Sequence, residues 1–444
     1  MKKRAPHPTL TLSRTKKSTS EKGGALMHPA RLAAKIQGQI EHFSGKLSAG
    51  LTKPAARMVR EVLLGMQARG SVRLSEIGRA LEEPTALKKV IERLGRHLRR
   101  REVREQVAGN LLELGSGKVG EKTLLVVDLT DISKPYARHM EHLARVRDGS
   151  TGEFTNGYWC CQVVGVERDR ADVMPLYQAL YSQRAPDFVS ENEEILKAIG
   201  AVWEATEGRG VVVIDRGGDR IELLRPWIKG GRDFVVRMRG DRHVESRRNR
   251  ERVDTIAERC RPKYRTSIVR EEGAREKVYH LAFGGTTVRL PNSRKPLSLM
   301  VVWGFGKRPL MLLSSLPRGS RKRAWQIVES YLARWRVEET IRFMKQSYDM
   351  EDIRLLSYER LRTMAVLVMA AAYFTCVYLG SRAKLRILTC HVYEAAQRIF
   401  GIADFRFYAI ADGIRQALYG RSGASKAPKP PPPAPNLSLF PLGP

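Results

Sequence analysis

Three acidic residues in this chain have types and positions that could do chemistry. Asp128 ends the apolar run Thr123-Leu-Leu-Val-Val-Asp128, Asp215 ends Val211-Val-Val-Ile-Asp215, and Glu338 follows the cationic stretch Tyr331-Leu-Ala-Arg334-Trp-Arg-Val. A short apolar strand that closes in a carboxylate presents that carboxylate at a sheet edge, and neighbouring strands bring two such ends together. Carboxylates gathered this way suit Mg2+, a hard cation that takes oxygen ligands, keeps several waters and needs no His or Cys cage. Phosphodiester cleavage gains most from two such ions roughly 3.5–4 Å apart, one sharpening the attacking oxygen and one stabilising the leaving oxygen.

The third acid comes with its own pattern. At about 100° per residue, Tyr331, Glu338, Lys345 and Arg334 fall near 0°, 340°, 320° and 300° of a helical projection, one narrow stripe. Ala333, Val337, Ile341 and Met344 fall between about 200° and 280°, a separate apolar face. The spacing therefore predicts a helix over 331–345 that packs through one side and offers a carboxylate between cations on another. Glu339 is the alternative acid, but at about 80° it leaves the stripe. Asp131 and Asp219 are rivals for the other two positions. Asp131 lies three residues past the predicted strand, and Asp219 would reach a helix N-terminus as a cap.

The elements needed to hold these side chains are legible in the order of apolar runs. Strands are predicted at 123–128, 158–166, 173–181, 211–215 and 233–239, with helices at 191–207 and near 221–228. Three strands, a helix, a strand, a helix and a strand is the order of a ribonuclease-H-like fold, so the fold class is α/β. Residues 241–318 break the scheme: strongly basic at first, then β-like, they read as a β-rich insertion. Helices resume over 319–405 and carry Glu338.

Ahead of this core, 31–118 reads as a helical domain. In it a short helix from Leu74 and a second over Ala86–Leu98 resemble a helix-turn-helix, the second bearing Lys88, Lys89, Arg93, Arg96 and Arg99. The termini, 1–30 and the Pro-rich tail within 406–444, lack the composition to pack a core.

Composition points to a polyanionic partner. With 79 Lys and Arg against 47 Asp and Glu, the net charge is +32 over 444 residues, a surface that suits double-stranded DNA. The five cysteines show no CxxC pair or ligand-like spacing, which fits reduced thiols in a cytoplasmic protein. The basic N-terminus lacks the apolar run of a signal peptide. Thr363–Gly380 carries no charge and nears the length of a membrane span, yet its basic flanks on both sides read better as a helix buried all round in a large domain. His139 and His142 fall in a loop and carry no metal-site pattern.

Together these residues carry a family resemblance. Tyr331, Arg334, Glu338 and Lys345 match a Y-x2-R-x3-E-x6-K signature, Asp128 lies in VVDLTD and Asp215 in VVIDRGGD. The chain thus resembles the DDE transposases of bacterial insertion sequences over about 120–400. The resemblance implies that Asp128, Asp215 and Glu338 hold two Mg2+ ions, with Mn2+ as a substitute. It implies cleavage at transposon ends by water, attack of the freed 3′-OH on target DNA, and paired protomers acting on two ends. It assigns Arg334 and Lys345 to phosphate contacts, Tyr331 to the DNA backbone or a base, and a Trp of the insertion, here Trp303, to a displaced base. Two alternatives share the scaffold: a metal-dependent nuclease that cuts without joining, and a catalytically silent DNA-binding regulator.

Overall fold

The computed structural model describes residues 29–149, 151–168, 172–246, 249–272, 275–379 and 406–419. The segments 1–28 and 420–444, which hold most of the two predicted unpacked termini, lie outside that description, as does Cys390. Five helices come first: α1 (Pro29–Leu47), α2 (Lys53–Arg69), α3 (Leu74–Ala80), α4 (Leu87–Leu98) and α5 (Arg101–Ser116). Helix α2 stops at Gly70, whose left-handed φ of 60° lets its N–H reach the Met66 carbonyl at 2.7 Å. Helix α4 buries Val90, Leu94 and Leu98, spaced one turn apart, and leaves Lys88, Lys89, Arg96 and Arg99 in solvent.

A ten-stranded mixed sheet follows. Its first half is β1 (Leu124–Ser133), β2 (Ala144–Arg147), β3 (Phe154–Val166), β4 (Val173–Tyr181), α6 (Glu191–Ala205), β5 (Val211–Ile214), α7 (Ile221–Lys229) and β6 (Phe234–Arg237). Strand β3 pairs antiparallel with β1, β2 and β4, and β1, β5 and β6 run parallel. The four residues of β5 are all buried, as a parallel strand covered on both faces requires.

Next come β7 (His243–Ser246) and β8 (Asn249–Arg252), which form a separate two-stranded sheet, and α8 (Val253–Arg259); the rest of the ten-stranded sheet is β9 (Tyr264–Glu272), β10 (Arg275–Val288), β11 (Leu297–Trp303) and β12 (Leu310–Ser314). The segment read as an insertion is indeed mostly sheet, but it does not stand apart. Strand β12 pairs antiparallel with β6, Leu313 opposite Val236, so the order runs β6-β12-β11-β10-β9 and the sheet continues unbroken.

Helices α9 (Arg321–Leu332), α10 (Trp335–Ser347), α11 (Tyr358–Tyr373) and α12 (Phe407–Tyr419) complete the described chain. Helix α11 packs against β4, α5 and α2. Tyr358–Tyr378 is long and apolar enough to cross a membrane, and 78% of its apolar window is buried inside the protein. At its end the Ala371 carbonyl accepts from Gln67 Nε2 (3.0 Å), Tyr348 Oη (3.2 Å) and Thr375 Oγ1 (3.3 Å), and the chain widens into a π turn over Phe374–Tyr378. The N-terminal helices share this core. Gly115 of α5 lies so close to Leu176 that a Cβ would come within 2.7 Å of it, and Tyr373 Oη donates to the Leu114 carbonyl at 3.0 Å.

Leu367 is fully buried at the centre of α11. Leu367→Ala is expected to lower unfolding free energy by about 3 kcal/mol, seen as a lower urea midpoint at unchanged slope.

Candidate active site

The first two carboxylates are set side by side by strand register. Strands β1 and β5 pair Leu124 with Val211 and Val126 with Val213. Two residues further on, Asp128 comes level with Asp215 on the same face, across a strand spacing of about 4.8 Å. Asp128 is not at the end of its strand, as its apolar run implied. Strand β1 continues to Ser133 because the following residues pair with β3, Asp128 itself opposite Gln162. What ends there is the parallel neighbour β5, and the half-buried Asp128 lies where β1 runs past it.

Asp215 turns the chain. Its Oδ1 accepts from the Gly217 N–H at 2.7 Å and caps the short 3-10 turn Arg216–Gly218. Gly218 is required here, since a Cβ would approach Ile214 Cγ2 to 2.2 Å.

The predicted single helix over 331–345 is divided. Helix α9 ends at Leu332 and α10 begins at Trp335. Between them the N–H groups of Arg334, Arg336 and Val337 bond three residues back, to Tyr331, Ala333 and Arg334 (3.1, 3.2 and 3.0 Å), which tightens the turn. Arg334 keeps a right-handed helical backbone, and its side chain remains beside Tyr331 and Glu338. Its Nη2 lies 2.5 Å from Glu338 Oε1, and its guanidinium carbon sits 5.7 Å from the centre of the Tyr331 ring. Ala333, Val337, Ile341 and Met344 are buried, as their sector predicted.

Charge links the two halves of the site. Burial pushes the Asp128 carboxyl up to about 7; Arg334 opposes the rise, and the neighbouring Glu338 and Asp215 add to it. Burial alone would make Arg334 easier to deprotonate, but Glu338, Tyr331, Asp128 and Asp215 together hold it above the usual guanidinium range. Three carboxylates and one guanidinium therefore share one local field.

The rival acids are engaged elsewhere. Asp131 lies inside β1, where it accepts from Ser133 Oγ (2.7 Å) and the Gly149 N–H (3.1 Å). Asp219 is not the expected helix cap: the N-cap of α7 is Arg220, while Asp219 accepts from the Arg239 N–H at 2.9 Å and pairs with Arg242. Glu339 is buried and ion-paired with Arg342.

Lys345 reaches Glu351 at 2.8 Å and comes within 3.9 Å of Asp131, so it faces the continuation of β1. Tyr331 is buried beneath Arg334 rather than open to a base. Trp303 stands apart. It ends β11 opposite Ala282, whereas the next residue, Phe283, contacts Trp325 of α9 at 5.6 Å. Alternation therefore turns Trp303 to the face that α9 does not cover, three strands from the Asp215 strand, about 14 Å across the sheet, and further along it as well. His142 packs edge-on against Tyr358, centroids 5.1 Å apart. Sequence reasoning missed Gln162, buried opposite Asp128 with its Oε1 unpartnered. Only the strand register could have found it.

Among the described residues no three His, Cys, Asp or Glu side chains are drawn close enough together to hold a metal ion as they stand. Glu338 is held by Arg334 and Asp215 by the Gly217 N–H. The donor chemistry nevertheless fits a hard divalent cation: all three acids offer carboxylate oxygen, and burial, with smaller contributions from Glu338 and Asp215, leaves Asp128 easier to protonate than an ordinary carboxylate.

Residues 169–374 match the family model described as Transposase DDE domain. This stretch is similar to a transposase DDE domain. The match contains Asp215 and Glu338 and begins after Asp128. It supports, in general terms, a transposase with a DNA substrate and divalent-metal chemistry. No curated protein matches the chain.

The folded protein holds the Asp128 proton more tightly than an unfolded chain does, where a carboxyl titrates near 3.8. In metal-free buffer this group's contribution to stability is full below about 4 and is lost as pH rises through about 7. Urea melts in EDTA should show wild type losing stability relative to Asp128→Asn across that window. A wild-type advantage that grew with pH would contradict the site's electrostatics.

Proposed function

We propose that the chain is a DDE transposase of the insertion-sequence type, which binds transposon-end DNA, cuts it by two-metal catalysis and joins the freed 3′ ends to target DNA. The observation that carries this reading is the β1–β5 register that sets Asp128 beside Asp215, with Glu338 near enough to Asp128 to disfavour its charged form. The strand order β4-β3-β1-β5-β6, with β1, β5 and β6 parallel, supports a ribonuclease-H-like core. The Tyr331, Arg334, Glu338 and Lys345 spacing supports the insertion-sequence group.

In this reading Asp128, Asp215 and Glu338 hold two Mg2+ ions, with Mn2+ able to replace them. The ions supply a nucleophilic oxygen at neutral pH and stabilise the oxygen that leaves. The chain's own groups do the rest. Asp128 gives up its proton when it takes a cation. Arg334 and Lys345 exchange carboxylate partners for phosphate oxygens, which complement guanidinium and ammonium alike. Water attacks the end phosphate and the 3′ oxygen departs with a proton; that 3′-OH then attacks a target phosphate and displaces a second 3′ oxygen. The exposed cations of α4 offer a sequence-independent hold on the DNA backbone. Two protomers on paired ends, acting in a bacterial cytoplasm, complete the proposal.

The deciding experiment is end cleavage and strand transfer on the repeats that flank the gene. Asp128→Ala, Asp215→Ala and Glu338→Gln should each lower the rate by roughly 10³-fold or more, and EDTA should abolish it. Full activity in all three variants would sink the site, and cutting without joined products would make the protein a nuclease.

DNA affinity offers a second check. The triple variant Lys88→Ala, Lys89→Ala, Arg96→Ala should flatten the plot of log affinity against log salt by about 2–3 in slope, one unit for each lost phosphate contact. An unchanged slope would remove α4 from the DNA interface.

A further inference from the structure

Arg334 precedes α10 and Glu338 lies four residues on in its first turn, and ion pairs at this spacing usually lie in solvent and contribute little. This pair does not. The Arg334 side chain is only 17% exposed, its guanidinium lies over the ring of the buried Tyr331, and its Nε has no hydrogen-bond partner among the described residues. The turn that presents it is the tightened junction between α9 and α10, where the Arg334 N–H bonds to the Tyr331 carbonyl and the Arg334 carbonyl accepts from the Val337 N–H.

A buried guanidinium without enough acceptors is costly unless nearby anions offset the lost hydration. Here the anions are Glu338 in direct contact and, further off, Asp128 and Asp215. The same three carboxylates repel one another, so each partner makes the other tolerable. Tyr331 fits this arrangement as the platform that fixes the height of the guanidinium.

We propose that Arg334 is the internal counter-cation of the carboxylate cluster, which it keeps assembled without metal and for which divalent cations must compete to take Glu338. The inference rests on the reading of Asp128, Asp215 and Glu338 as metal donors. Its consequence runs opposite to a purely structural role. Removing a helper that merely supports the site would weaken metal binding, whereas removing a competing cation strengthens it. Glu338 Oε1 is freed and the like-charge repulsion against an incoming cation disappears. Once Glu338 turns to metal, the unpaired Nε–H and the released Nη2–H of Arg334 become donors for a phosphate oxygen. One residue would thereby tie loading of the metal site to binding of the DNA.

The test is Mn2+ binding to the full-length, DNA-free protein, read by the paramagnetic resonance signal of free Mn2+, with folding checked by thermal melts. Arg334→Ala and Arg334→Gln should bind Mn2+ more tightly than wild type, on the order of tenfold. Glu338→Gln and Asp128→Asn should bind it more weakly. If Arg334→Ala does not fold, the Gln variant, which keeps more of the stem, decides the matter. Equal or weaker binding in a folded arginine variant overturns the proposal. If the carboxylate variants lose Mn2+ while the arginine variants match wild type, only the counter-cation role fails. If wild type and the carboxylate variants bind alike, or none binds, the metal-donor reading falls with it.

Discussion

The constraint on which the site depends is the parallel pairing of β1 with β5. Three register pairs, Leu124 with Val211 through Val126 with Val213, are enough to bring Asp128 level with Asp215. Two carboxylates on adjacent strands, in a sheet covered on both faces, repel each other at a distance where little water intervenes. A protein keeps such an arrangement only if the rest of the structure outweighs that repulsion, and here much of the structure is arranged around it. Strand β1 is anchored on its other side by ten register pairs with β3, which stop it from twisting the carboxylate away.

The counterweight to that repulsion is not on the sheet. It comes from the α9–α10 junction, where a local tightening of the helix delivers Arg334 and Glu338 together. The apolar faces on either side of the break, Ile327 and Val328 before it and Val337, Ile341 and Met344 after it, are buried and hold the junction down. Helix α9 packs on β5, β6, β11 and β12 while α10 packs on β1, β3 and β4, so the junction between them sits over the middle of the sheet. The continuation of the sheet through β12 to β9 therefore has a mechanical part in the site, because it is the surface on which α9 rests.

The helical elements serve a second purpose. Beyond its charged first turns, α11 is apolar where β4, α2 and α5 pack on it; Gln67 and Tyr348 donate to its Ala371 carbonyl and Gln178 to its Ala365 carbonyl. The N-terminal helices that carry the exposed cations of α4 are thus tied to the sheet that carries the carboxylates. The exposed cations of α4 and the carboxylate of Asp128 therefore belong to one packed body.

Local sequence determined a great deal. The strands that bear Asp128 and Asp215, the helices near them, the buried sector of α10 and the preference for Glu338 over Glu339 all follow from short-range periodicity, which depends on backbone geometry alone. Other features depend on partners distant in the chain. That β1 runs on past Asp128 is decided by β3, and that Asp131 and Asp219 serve loops is decided by Ser133, Gly149, Arg239 and Arg242. The break at Ala333 was invisible because its residues are ordinary helix formers. The unbroken sheet beyond β6, the burial of Tyr331 and the opposite-facing Trp303 are likewise matters of pairing and packing. Sequence by itself narrowed the candidates to a few acids of suitable type and spacing; only the tertiary structure decided which of them share one electric field, because burial and strand register are properties of the assembled fold.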